Sequence, residues 1–447
     1  MAIESREELV NALAEAAELE HGLLCQYVFA AVTLKQTSDE GITWRLVELI
    51  RDWKATLLEV ARQEMAHLGT VCNMLTAVGA APHFMRLNFP RSAQHFPPDA
   101  PFILQPFGPE AISRFVRFEE PVQTAESAFA RDIAPKPIEY QHVGQLYRTI
   151  ADGFAALDDG NLFIGPKGAQ DDNDWSRHLH LWPVNDLAST EQAITFIIEE
   201  GEGGTTDPSP DSHHQRFKAA QSILADELAS DPGFRPSRPV ATNPVSRQHP
   251  DASQFGSPVT DPSARALSEL FSVTYETTLL MLTQFYSFGP ETSDQRMALR
   301  QAAREMMSGV IRPLGEVLTL LPMGESQPGL NAGPGFEIYG DIQVSPHTEN
   351  AWLVITERLH REGSQCLDLS QAQGPRMRLR LCGENLLRLA ATLEQVAAAG
   401  FGESSARRRL LRAEASGHVA ITDEAHSLKP TRLATARYGS PSEQEPP

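Results

Sequence analysis

Two stretches decide how this chain folds: Glu18-Leu19-Glu20-His21-Gly22-Leu23-Leu24-Cys25-Gln26-Tyr27, and Glu64-Met65-Ala66-His67-Leu68. Each lies inside a long run rich in helix formers, residues 5 to 37 and 43 to 79, and the second run closes at Gly79 ahead of Pro82. At about 100° per residue, Leu9, Leu13, Ala16, Leu23, Leu24 and Tyr27 share one face whose centre lies close to Glu20. On the second helix Leu46, Ile50, Trp53, Leu57, Val60, Leu68, Val71, Leu75 and Val78 define the inner face. Glu64 falls near its middle and His67 beside it, one turn on.

An ionised carboxylate left unpaired in an apolar stripe costs several kcal/mol, so each of these needs a cation, a donor network or a proton. Glu-x-x-His puts two ligands on one helical face, and a Glu from the neighbouring helix completes half of a carboxylate-bridged dinuclear site. Hard carboxylate oxygen with imidazole suits iron, with manganese as the alternative, better than a thiolate-preferring metal. The competing reading is a buried hydrogen-bond network linking His67 to Glu20.

A second half-site has to come from later helices. Ile194, Ile197 and Ile198 give the fourth helix an inner face, which puts Glu202 near its edge at the interruption Gly201-Glu202-Gly203-Gly204. A chain that loops out there and then resumes its helix brings Glu202 and His213 to the role that Glu-x-x-His has on the second helix. On the third helix Val143, Tyr147, Ile150 and Phe154 mark the inside, which turns Glu139 inward. Tyr27 and Tyr147 face inward, as core aromatics in preference to proton donors. His214, His142, His178, His180, His347 and His360 read as surface or hydrogen-bonded core histidines, and Cys25 and Cys72 as small core residues.

Outward from these helices the organisation alternates. Residues 82 to 135 carry nine prolines, from Pro82 to Pro135, and predict an extended, loop-rich crossover. Helical periodicity returns over Ile138 to Leu157, Ser189 to Glu200 and Ser212 to Leu228. Residues 1–230 thus read as a metal-binding bundle, 231–262 as a Pro-rich linker wrapping the surface, and 263–400 as additional helices packing on the bundle. Two of these helices span 263 to 287 and 294 to 321, and after the turn-rich stretch Gly324 to Pro346 comes a last helical region from Asn350 to Ala399. Residues 401–447 read as a poorly ordered tail. Glu276-Thr277-Thr278-Leu279-Leu280 and Glu305-Met306-Met307-Ser308 echo the two opening stretches, faintly enough to be chance among Leu-, Glu- and Met-rich helices.

The 447 residues suffice for one elaborated domain or two smaller ones, and the net charge of −20 excludes a surface built for nucleic acid or anionic lipid. No apolar run is long enough to span a bilayer, and Met1-Ala2-Ile3-Glu4 does not open a secretory signal. With only four scattered cysteines, a reducing cytoplasm fits best. There is no Gly-x-Gly-x-x-Gly, Walker-type or Gly-x-Ser-x-Gly motif, so nucleotide-dependent and serine-hydrolase classes lack support.

At the opening stretches, and at Asn73-Met74-Leu75-Thr76-Ala77-Val78-Gly79, the sequence resembles the ferritin-like domain of the iminophenylpyruvate dimer synthase family. Phe118-Glu119-Glu120-Pro121, Gly201-Glu202-Gly203, Ser212-His213-His214-Gln215-Arg216-Phe217 and Ala332-Gly333-Pro334-Gly335-Phe336-Glu337 are similar to its later landmarks. The resemblance runs from about residue 5 to 360. It implies an all-α, ferritin-like four-helix bundle with extra C-terminal helices and long loop-rich crossovers. By resemblance Glu20, Glu64, His67, Glu202 and His213 match metal-ligand positions, with Glu119 a further candidate. Members couple two imines made from aromatic amino acids and are much longer chains. The expectation is therefore a dinuclear iron oxidase or oxygenase, with manganese as the alternative metal. It acts on a small, aromatic amino-acid-derived substrate, with no nucleic acid or membrane partner and with oligomerisation left open. A non-catalytic metal-binding or interaction protein, or a manganese enzyme disproportionating peroxide, are the rivals.

Overall fold

The computed structural model of the chain describes residues 2–90, 101–121, 142–172, 180–201, 209–247, 256–372 and 376–401. Residues 1–400 form one compact unit, and 401–447 a second of which only Phe401 is described. Helices α1 (Arg6–Thr33) and α2 (Trp44–Ala77) pack along each other as a hairpin. Ser5 caps α1 by accepting from the Glu8 amide, and Thr43 caps α2 by accepting from Leu46. α2 ends where Gly79 turns to φ 84°, with Ala80 N donating to Leu75 O at 2.9 Å, a terminus only a residue without Cβ adopts freely.

The crossover is not wholly extended. It contains α3 (Pro109–Phe118), with proline at the first helical position, where its missing N–H costs nothing. Ala111, Ile112, Phe115 and Phe118 form its buried face, which lies against α6 (His213–Ser230). α4 (Val143–Leu157) and α5 (Leu187–Gly201) complete the bundle, α4 packing on α1 and α5, and α5 reaching α2. The buried face of α5 is Thr190, Ala193, Ile194, Ile197 and Gly201. It is rotated from the face marked by the isoleucines alone, and Ile198 is only half-buried.

The proline-rich segment after α6 is tucked in rather than laid over the surface. Phe234, Arg238, Val240 and Ala241 are buried, Arg238 N donates to Thr33 O at 2.8 Å, and Lys35 N donates to Pro236 O at 3.0 Å. Further on, β1 (Pro244–Val245) pairs in parallel with β2 (Ser257–Pro258). Then come α7 (Pro262–Tyr286) and α8 (Ser293–Met306), followed by a π turn over Met307–Ile311 and α9 (Arg312–Leu318). The last helical region consists of two helices, α10 (Thr348–Ala372) and α11 (Arg376–Gly400). They touch backbone to backbone at Gly363 and Gly383, where an added Cβ would come within 3.0–3.2 Å of the opposing carbonyl. No described helix is long and apolar enough to cross a membrane. All four cysteines are free and buried.

Candidate metal centre

Five side chains from four elements converge in the bundle. Glu20 comes from α1, Glu64 and His67 from α2, His213 from the first turn of α6, and Glu119 from the residue that ends α3. All five are at most 4% exposed. They form two triads, Glu20/Glu64/His67 and Glu64/Glu119/His213, within each of which the potential ligand atoms lie within 4.8 Å of one another. Glu64 belongs to both. Its Oε2 is 3.1 Å from His67 Nδ1, and its Oε1 is 3.0 Å from His213 Nδ1. One carboxylate thus divides its two oxygens between two imidazoles.

The outer carboxylates repeat each other's arrangement. Glu20 turns Oε2 toward His67 Nδ1 at 3.7 Å, while its Oε1 accepts from the Tyr147 hydroxyl at 2.5 Å. Glu119 turns Oε2 toward His213 Nδ1 at 3.6 Å, while its Oε1 accepts from the Tyr27 hydroxyl at 2.5 Å. Burial and the carboxylates around it push the Tyr27 phenol well above its ordinary range, so it stays a donor. On the far side of His67, Nε2 meets Glu200 Oε2 at 2.9 Å, and Glu200 also accepts from Gln63. A carboxylate behind an imidazole fixes its tautomer and turns Nδ1 toward the cluster.

The electrostatics are those of a site short of positive charge. Neither Lys nor Arg pairs with Glu20, Glu64 or Glu119 among the described residues. Burial first, then the Glu64 charge, pushes the Glu20 carboxyl up to about 8. Burial also opposes charge on His213, but Glu64 and Glu119 outweigh it and raise the imidazole to about 9. Burial acts to raise Glu64 as well, yet His213 and a hydrogen bond from Glu20 hold it below the usual range. Glu64 Oε1 and both ring nitrogens of His213 lack any hydrogen-bond partner despite full burial. Orphaned buried polar atoms are rare. Here they include His213 Nδ1 and Glu64 Oε1, 3.0 Å apart, in a donor set of hard oxygen and imidazole that fits iron or manganese.

Of the positions singled out from sequence, Glu20, Glu64, His67, Glu119 and His213 are brought together. Glu202 and Glu139 lie outside the described residues. Glu200, two residues before Glu202, is the acidic residue of α5 that reaches the cluster, because Thr190 and Ala193 share in setting the buried face. The remaining histidines keep ordinary surroundings. His214 Nδ1 meets Val116 O, His142 Nδ1 meets Glu120 O, His360 pairs with Glu394, and His180 and His347 are exposed. His178 lies outside the described residues.

A buried carboxylate–imidazole cluster supplied by the α1–α2 hairpin, the end of α3 and the start of α6 defines a class, and residues 13–222 match the sequence family described as Ferritin-like. The chain carries a ferritin-like domain and is a homologue of imine-coupling enzymes of specialised metabolism. It is 29% identical over 402 residues to dichlorochromopyrrolate synthase of Lentzea aerocolonigenes, covering 80% of this chain and 38% of that protein. It is 31% identical over 359 residues to 2-imino-3-(indol-3-yl)propanoate dimerase of Chromobacterium violaceum, covering 74% of this chain and 34% of that one. The chain thus spans little more than a third of the length of these relatives. A ferritin-like protein from Caulobacter vibrioides, at 17% identity, superposes with a TM-score of 0.46 over 70% of this chain and 98% of its own.

Proposed function

We propose that this chain is a metal-dependent oxidoreductase that couples or oxygenates a small acid derived from an aromatic amino acid. Glu20, Glu64, His67, Glu119 and His213 would hold a dinuclear iron centre, with manganese as the alternative, and Glu202 remains a candidate ligand beside them. The observation that carries this reading is the division of Glu64, one oxygen toward each of two imidazole–carboxylate sets. When bound, such a pair of ions supplies two-electron oxidising chemistry with dioxygen or peroxide. The chain's own residues orient and exclude: Tyr147 and Tyr27 fix the outer carboxylates, Glu200 fixes His67, and the buried bundle keeps bulk water from the ligands. Joining two 2-imino acids through a new bond releases two protons and two electrons, so the reaction requires that oxidant. A cytoplasmic site of action fits an aromatic amino-acid-derived substrate.

The test supplies the iron-loaded protein with L-tryptophan and an L-amino-acid oxidase, which together generate 2-imino-3-(indol-3-yl)propanoate and peroxide. A coupled or oxygenated product by mass spectrometry, lost in Glu64→Ala, supports the reading; consumption of the imine by hydrolysis alone contradicts it.

A further inference from the structure

Three arginines are buried among the described residues: Arg86, Arg238 and Arg300. A guanidinium removed from water is costly unless an opposite charge accompanies it. Arg238 meets Glu40 through Nε at 2.5 Å and Nη2 at 3.2 Å, and Arg300 Nη1 meets Asp171 at 3.0 Å. Arg86, 5% exposed, has no carboxylate among its partners. Its Nη1 donates to Leu87 O at 3.0 Å and its Nη2 to Phe336 O at 2.5 Å, while Nε has no partner. The groups around it bring no negative charge. Burial keeps the Cys25 thiol and the Tyr275 phenol protonated, and an imidazole such as that of His21 brings no negative charge.

The surroundings are aromatic. The guanidinium lies 4.5 Å from the centre of the Phe89 ring and 5.7 Å from that of Tyr275. Phe336 packs edge-on against both Tyr275 and Phe271. His21 joins this group through Tyr275 and leaves a second buried nitrogen, Nδ1, unpartnered. His21 follows Glu20 directly, so the group sits about 100° around α1 from the candidate metal centre.

We propose that Arg86 receives the carboxylate of an aromatic substrate, a 2-oxo- or 2-imino-3-arylpropanoate, whose ring packs among Phe89, Tyr275 and Phe336. This rests on the reading of the chain as an enzyme for aromatic amino-acid-derived acids. The unpartnered Nε–H lies on an edge of the guanidinium fork that carboxylates engage in pairs, and the missing counter-charge is the ligand's. Lysine would supply the charge without the fork.

Calorimetric titration tests this with phenylpyruvate, its ethyl ester and inorganic phosphate, on the wild type, Arg86→Gln and Arg86→Lys. The wild type binds the acid at least about tenfold more tightly than the ester, Arg86→Gln loses that preference, and Arg86→Lys keeps part of it. Acid binding within about twofold of wild type in Arg86→Gln overturns the assignment. So does phosphate competing as well as the acid, which marks an unspecific anion site, or a wild type that binds no acid. Should Arg86→Gln fail to fold, the acid-over-ester ratio of the wild type and of Arg86→Lys decides. Metal content of the same samples separates the two readings: a failed Arg86 assignment leaves metal binding untouched, and a metal-free wild type sinks the oxidoreductase alone.

Discussion

The hairpin α1–α2 and the later pair α7–α8 carry echoing sequences, yet their carboxylates meet opposite fates. In the later pair the two echoing carboxylates, Glu276 and Glu305, have found fixed partners. Glu276 accepts from the Tyr339 amide at 2.5 Å and pairs with Arg358 at 3.0 Å; Glu305 sits half-buried on Arg388; and Ser308, in the place of the histidine, is exposed on the π turn. In the first pair Glu20 and Glu64 have only imidazoles, a phenol and each other. A pattern of Glu and Glu-x-x-His is therefore not a metal site in itself. What distinguishes the two regions is whether the fold brings its own cation.

The comparison breaks most sharply if the two triads are not separable. Glu119→Ala or His213→Ala should remove about one of two bound ions per chain, leaving the Glu20/His67 side loaded, as read by elemental analysis. Loss of both or of neither would join or dissolve the triads. Next, Tyr147→Phe and Tyr27→Phe each free an outer carboxylate from its phenol and should weaken metal affinity by about 10–100-fold, measured by competition with a chelator. In the later pair, Arg358→Met leaves Glu276 with a backbone amide alone. It should destabilise the fold by about 1–3 kcal/mol in urea denaturation while binding no new metal.

The smallest effect sharpens the same contrast through pH. Burial raises the Glu362 carboxyl to about 8, only partly offset by the Thr277 hydroxyl at 2.7 Å and by Arg358. Its folded value thus lies above that of the unfolded chain, so the folded state holds the extra proton. Stability falls as pH rises from about 4.5 through 8 and levels off beyond. Glu362→Gln should remove that slope and raise the melting temperature at pH 9 by about 2–4 °C relative to wild type, with little change at pH 5.

How much of this was legible in the sequence depends on what positions each residue. Glu20, Glu64 and His67 sit in long uninterrupted helices, where periodicity alone reports which way a side chain points. Glu119 closes a helix of ten residues inside a proline-rich crossover, and its inward turn is set by α3 packing on α6, a contact no local pattern carries. Glu200 was hidden because small residues, Thr190 and Ala193, help define the buried face of α5 while large apolar ones suggested another. Tyr27 and Tyr147 read as core aromatics by periodicity, and they are core aromatics, but their hydroxyls end on carboxylates. Arg86 offered no signal at all, since burial without a counter-charge is a property of the folded neighbourhood.

The central claim is that Glu64 is shared by two metal ions. The measurement that tests it most directly is elemental analysis of anaerobically purified protein, wild type beside Glu64→Ala. About two iron or manganese ions per chain are expected in the wild type, with a loss of both in the variant. Less than about one ion in the wild type, or the same content in Glu64→Ala, would contradict it.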